Sequence, residues 1–513
     1  MKRWLLLIIA LLLTACGDAS APADVPSAAN AGGASGHRSL TRPWLIGSPA
    51  ELAGQIDEAT ALAGLSAMRV AAQAPVSVPV AATPARISAS VVVPTVVPGS
   101  LEPIAPTPTQ RRVVLPGRGT PLPTLIPTTA PAALIPAAAS ADAQAAWAQP
   151  ITAWIALGMD GVGRARLTPN RAARDLAILA SALNDTYFVI DAARVRGLAV
   201  SEDAALAATA YRTLLSLYPS NSAAWQRAYG VAVWMGAWRK QDTAQAVANG
   251  NQLGALVATS ITTRMQDDGS TAPQTFDWPE SFIPPGQPVP TARPDRWRPA
   301  LPDQPVDALW GKVRLIGLAS ADGLAAAAPP AWDSDAFAAT RHAFAATQQG
   351  LTAAQRATAT KWAGERGTAT IAGLWFKVTT ALIADARLDA RAAAQVYAAV
   401  GITLHNAFVL SWADAYRYLI PRPGTWMRTT DAAWSPVVAV LAAPAYPSGE
   451  AVACVAVSDV LNAYFPAQAA RIAATVAEAT EAQIYAGGHW QIDIDAGSDQ
   501  GHRVGTAMLA LIR

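Results

Sequence analysis

The chain has 513 residues, enough for two or three domains or for one large domain with appendages. It is 52% hydrophobic and only 14% charged, with 17 Trp, so a sizeable buried core is available. A net charge of +2, with no run of Lys and Arg, gives no reason to expect nucleic acid or an acidic membrane surface as partner.

In chain order, the first element is a targeting segment, MKRWLLLIIALLLTACGDAS. Lys2 and Arg3 form a short positive start, and the apolar run over residues 4–13 is too short to span a bilayer comfortably. The end of the run, Leu13-Thr14-Ala15-Cys16, resembles a bacterial lipobox. Residues 1–16 are therefore expected to be a lipoprotein signal peptide, with Cys16 the lipidated first residue of an exported, membrane-anchored protein; an uncleaved apolar anchor is the alternative. With Cys16 lipidated only Cys454 remains, so no intrachain disulfide is expected, and Cys454 reads as a small buried hydrophobe.

Residues 17–140 are dominated by Ala, Pro, Ser, Thr and short Val runs. Proline at this frequency removes backbone donors and disfavours helix and central strand, which predicts a long, disordered Pro/Ala-rich tether. Residues 49–72 are the exception, with spacing that suits a short helix, and Arg111 and Arg112 read as solvated linker charges. From residue 141 to 513 the texture changes to Ala- and Leu-rich segments of 3.6-residue periodicity, with no period-2 series and no repeat, which predicts an all-α domain. Proline-containing breaks are expected over 276–305 and 420–423, and the many Trp are expected in interhelical packing.

Three segments near the C-terminus carry candidate chemistry: SWADAYRYLIPRPGTWMR with Arg422 and Pro423, YPSGE at 446–450, and EAQIYAGGHWQIDIDAG with His489 and Asp493. In order and spacing they resemble the three motifs of the vanadium-dependent haloperoxidase and type 2 phosphatidic acid phosphatase superfamily, K-x6-R-P, P-S-G-H and S-R-x5-H-x3-D. Upstream segments such as LTPNRAARDLAILASALNDTY and TKWAGERGTATIAGLWFKVTTALI follow the same order, so the resemblance covers residues 169–513 and implies a haloperoxidase-like helical bundle.

The resemblance implies an oxyanion cradle: a Lys and two Arg neutralise phosphate or vanadate, a Ser hydroxyl and a Gly N–H donate to it, and a third-motif His is nucleophile or vanadium ligand. Here Arg422, Ser448 and Gly449 match the oxyanion-binding positions, and His489 matches the nucleophile or ligand, with Asp493 placed to orient its ring. The lysine position is Ala415, the acid/base histidine is Glu450, the second arginine is Gln483 and the motif serine is Ala482. Two lost charge-assisted hydrogen bonds cost about 3–6 kcal/mol. An ionised Glu450 some ~4 Å from an anion adds repulsion on the order of 4 kcal/mol at an effective dielectric of ~20. Oxyanion affinity should therefore fall by at least ~10³-fold.

The expectation is a non-catalytic member of the superfamily with no bound cofactor, serving as a cell-surface binding or structural module for a small molecule or protein. The alternative is an active phosphatase or vanadate-dependent haloperoxidase in which His489 works with Glu450 as altered acid/base group. Glu450 also suits a first helical turn capped by Ser448, or a buried partner for Arg422. A metal held by Glu450, His489 and Asp493, and a Ser448–His489–Asp493 hydrolase triad, are lesser readings. His37, His342, His405 and His502 match no motif position and are expected to be structural or on the surface.

Overall fold

The computed structural model describes residues 42–56, 147, 149–238, 240–276, 295–299 and 303–512. The signal segment, Cys16, His37, Arg111 and Arg112 lie outside these residues.

Among the described residues the structure is helical, without a strand beyond isolated bridges at Arg366. The helices are α1 (Pro49–Gly54), α2 (Pro150–Ala165), α3 (Pro169–Val195), α4 (Glu202–Leu217), α5 (Ser222–Val233), α6 (Ala244–Gln266), α7 (Asp335–Gln349) and α8 (Ala353–Lys361). They continue with α9 (Thr370–Asp385), α10 (Ala390–Tyr418), α11 (Pro423–Thr430), α12 (Gly449–Tyr464), α13 (Ala469–Tyr485) and α14 (Gln491–Leu511). Their starts follow local chemistry: Ser201, Thr243, Ser334, Thr352, Asp389 and Ser448 each cap a helix through the side-chain oxygen, and proline opens α1, α2, α3 and α11.

The central pair is α3 and α10. Both are long and apolar enough to cross a membrane by length and composition, yet both are mostly buried inside the bundle, as core helices of a globular domain are. Small residues let them touch: a Cβ on Gly401 of α10 would stand 2.9 Å from the Ala177 Cα of α3. A second close seam joins α14 to α12. Gly497, Gly501 and Gly505 recur every four residues along α14, and a Cβ at these positions would meet Ser448 O at 2.7 Å, Val455 Cβ at 2.7 Å and the Asp459 carboxylate at 2.6 Å. This seam sets the start of α12 against the first turns of α14.

Among the described residues, irregular structure continues past the expected break at 276–305 as far as Ser334, with a short 3-10 turn at Trp310–Lys312. Side chains on the helices satisfy its backbone. Asn406 accepts from Ile316 N–H at 2.9 Å and donates to Ile316 C=O at 2.8 Å, and Asp414 accepts from Ala326 N–H at 2.7 Å. Buried loops are tolerated only with such partners.

Within the stretch assigned to the tether, residues 42–56 are described, and they pack on the helical domain. The backbone N–H groups of Trp44, Leu45 and Ile46 all donate to the buried Asp185 carboxylate of α3, and Leu45, Ile46 and Ala53 are buried in the main core. Of the expected 49–72 helix, the described residues hold α1 over Pro49–Gly54, and residues 57–72 lie outside them. The physical reason is a short Trp-Leu-Ile cluster, whose apolar surface outweighs the surrounding proline texture once a carboxylate pairs its backbone.

Candidate functional site

The site forms where the irregular segments 419–422 and 431–448 meet the starts of α12 and α14. Ser448 caps α12, its Oγ accepting from Ala451 N–H at 3.2 Å. Gly449 follows, and a Cβ there would sit 3.1 Å from both Ser411 Oγ and the Trp412 ring on α10, so only glycine lets the helix start press this closely. Glu450 projects from the first turn.

His489 precedes α14, after a turn through Gly487, whose φ of +87° suits glycine. Asp493 caps α14 by accepting from Trp490 N–H at 2.8 Å, and its backbone carbonyl accepts from Ser448 N–H at 2.9 Å. Behind the histidine, Trp490 is fully buried among Trp332, Phe337, Phe344 and Trp426, and donates to the Pro421 carbonyl at 2.8 Å. Arg422, at the start of α11, donates to the carbonyls of Ala443 at 2.8 Å and Gly488 at 3.0 Å.

These residues converge on the His489 ring. Nδ1 lies 3.3 Å from Asp493 Oδ2, and Nε2 lies 3.2 Å from Glu450 Oε2 and 2.9 Å from Arg422 Nη1. Burial and the Arg422 charge pull the histidine pKa down, but the hydrogen bonds to Asp493 and Glu450, with the Glu450 charge, outweigh them and raise it. For Glu450, burial raises the pKa, but the hydrogen bond and charge of His489, joined by the Arg422 charge, lower it to about 2. Burial raises the Asp493 pKa against the pull of His489. With His489 as imidazolium, both ring N–H groups donate to carboxylates, and two cations face two anions. If the ring is neutral with Nε2 unprotonated, that lone pair accepts from Arg422. In both states Nε2 is occupied.

The sequence-derived residues Arg422, Ser448, Gly449, Glu450, His489 and Asp493 thus come together. The Ser448 hydroxyl contacts Ala451 N–H and, at 3.5 Å, Glu450, so it lacks the hydrogen bond to His489 that a triad needs. Glu450 and Asp493 sit at opposite nitrogens of the ring and do not converge with it on one ion, and among the described residues no cluster of three His, Cys, Asp or Glu could hold a metal. Outside the site, burial pushes the His405 pKa down to about 4, with Nε2 held at 3.0 Å from the Arg314 carbonyl. Burial pushes the Cys454 thiol up to about 12, and Trp375 Nε1 donates to its sulfur at 3.0 Å. His342 and His502 are exposed, the latter 2.9 Å from Asp459.

Three wall residues escaped the motif reading. Trp412, three residues before Ala415, and Ala443 and Pro444, in the loop before α12, line the remaining cavity with Ala415, Arg422, Glu450 and His489. Trp412 was legible as an aromatic on the same α10 face; the proline lies in a loop whose path no periodicity reveals. The cavity measures about 10 Å³, the room of a single water.

No family model and no curated protein matches the chain. Solved structures do. A bacterial vanadium-dependent iodoperoxidase superposes with a TM-score of 0.59 at 19% identity, over 70% of this chain and 95% of that one. The holo form of a bacterial vanadium-dependent chloroperoxidase superposes with a TM-score of 0.52 at 13% identity, over 67% and 93%. Its apo form gives a TM-score of 0.52 at 12% identity, over 69% and 94%. The helical domain shares the fold of these bacterial vanadium-dependent haloperoxidases.

Vanadate or phosphate, the group this fold implies, does not fit the residues present. The cavity takes about one water, the Glu450 carboxylate already stands against His489 Nε2, and a neutral Ala415 forms the wall where the motif has lysine. Gln483 leaves the cavity wall, its side-chain amide turned to the Ala479 carbonyl of its own helix at 3.5 Å.

Proposed function

We propose that this chain is an exported, lipid-anchored member of the haloperoxidase/phosphatase superfamily whose oxyanion site is closed, so that it serves as a non-catalytic binding or structural module at the cell surface. The observation that carries this reading is the Glu450 carboxylate, 3.2 Å from His489 Nε2, in the place where an oxyanion would have to bind. An internal anion satisfies Arg422 and His489 without a ligand, and a second anion entering there would meet repulsion on the order of 4 kcal/mol at ~4 Å and an effective dielectric of ~20. A histidine with both nitrogens occupied also lacks a free lone pair for attack on phosphorus or for coordination.

The test is calorimetric titration of the protein with vanadate and phosphate, beside phosphatase and bromoperoxidase assays. No binding at micromolar vanadate and no turnover are expected. Ala415→Lys, Glu450→His and Gln483→Arg combined are expected to recover oxyanion binding, because Arg422, Gly449 and His489 already line the cavity and Ser448 caps the helix that starts there, whereas each single change leaves a charge deficit. The same Glu450–His489 contact favours one second reading, acid/base work in an active phosphatase or haloperoxidase. Wild-type turnover that Glu450→Gln abolishes would establish that reading and overturn the first.

A further inference from the structure

We propose that residues 42–56 are a docked peptide, a clasp that binds the helical domain by itself, so that cutting the chain between residues 57 and 146 leaves the N-terminal piece attached.

The receiving site is built around one side chain. Asp185 lies mid-way along α3, fully buried, and accepts from three successive backbone N–H groups: Trp44 at 2.8 Å on Oδ1, and Leu45 at 2.7 Å and Ile46 at 3.1 Å on Oδ2. Asn184 Nδ2 steadies Oδ1 at 3.0 Å. Among the described residues no cation pairs with this carboxylate: burial raises its pKa, and the three strap N–H groups and Asn184 oppose that. A buried carboxylate without a counter-ion is costly, and apart from Asn184 every partner of this one belongs to the strap.

Apolar contacts complete the recognition. Leu45, Ile46 and Ala53 are buried in the core, and the Trp44 ring lies over Gly317, where a Cβ would approach it to 2.9 Å. Gly317 has a φ of +77°, so glycine both makes the turn and clears the ring. Ser48 then caps α1 by accepting from Glu51 N–H at 3.2 Å, which ends the extended stretch. Main-chain hydrogen bonds with alternating pockets for side chains are the way proteins bind extended peptides.

The ninety residues 57–146 separate this strap from Trp147. The hydrogen bonds to Asp185 and the buried apolar side chains all belong to the strap, so docking rests on the strap's own contacts. With the lipid anchor proposed above, the clasp would keep the domain at the membrane after a protease has cut the chain between residues 57 and 146. That consequence rests on the anchoring reading; the clasp does not, and it is tested without membranes.

The full chain is given a site-specific protease sequence after Arg112, cleaved, and run by size exclusion at micromolar concentration. The N-terminal fragment is expected to co-elute with the helical domain and to be displaced by an excess of synthetic peptide 42–56. Ile46→Asp, confined to the strap, and Asp185→Ala are each expected to weaken retention at least tenfold; circular dichroism checks that Asp185→Ala keeps its helices. A wild-type fragment that separates on cleavage would overturn the proposal, as would retention unchanged by Ile46→Asp.

Discussion

Glu450 occupies a first-turn position where an acidic residue suits the helix dipole, and it does a second thing there by closing a four-group charge cluster with Arg422, His489 and Asp493. Its pKa falls from 4.5 to about 2, chiefly because the His489 hydrogen bond and charge outweigh burial. A carboxylate depressed in the folded state contributes stability that is present above its unfolded pKa and is lost as pH falls through its folded pKa. Urea unfolding at closely spaced pH should therefore show stability declining from pH 4.5 toward pH 2, and Glu450→Gln should remove a contribution on the order of 3 kcal/mol from that limb. Identical acid limbs in the two proteins would sink the assignment. The constellation itself was legible in sequence, since Arg422, Ser448, Glu450, His489 and Asp493 stand at fixed spacings within three short motifs. Side-chain direction was not. Helix capping, pairing with Arg422 and pairing with His489 were all open for Glu450, and the packing of the α12 start against the first turns of α14 decides that it reaches the histidine.

The helices were legible because their apolar positions recur with a period of 3.6, and their caps are ordinary Ser, Thr and Asp. How they sit against each other was less so. The Gly497, Gly501 and Gly505 series was visible, but a glycine in a helix reads as weakness until a neighbour is seen to fill the missing Cβ. Gly501→Ala tests this. Helix propensity alone predicts a gain of about 1 kcal/mol, whereas a Cβ 2.7 Å from Val455 Cβ and 2.9 Å from the Val452 carbonyl must push α12 away. A net loss of about 1–3 kcal/mol in thermal or urea unfolding is expected, and a stabilised variant would show that the seam is not tight. The same displacement should loosen the Ser448–Asp493 backbone bond, so His489 NMR signals are expected to shift although the substitution lies three turns away from the ring.

For the molecule as a whole, the all-α fold followed from texture and motif order, while the strap was hidden because three apolar residues, Trp44, Leu45 and Ile46, are too few to show a period inside a Pro/Ala-rich stretch. Their partner, Asp185, is 140 residues away from Leu45, and nothing local marks it. Export is tested on the intact protein: mass spectrometry of membrane-extracted material is expected to find Cys16 as a lipidated N-terminus, and an intact Met1 would refute it. The docked strap also has a mechanical consequence. A pull applied to residues before Arg42 is carried first by the strap and the middle of α3, with the three N–H bonds to Asp185 loaded together. Stretched between residue 42 and the C-terminus, a single molecule should therefore yield in a first step at the strap, before the helical domain itself gives way.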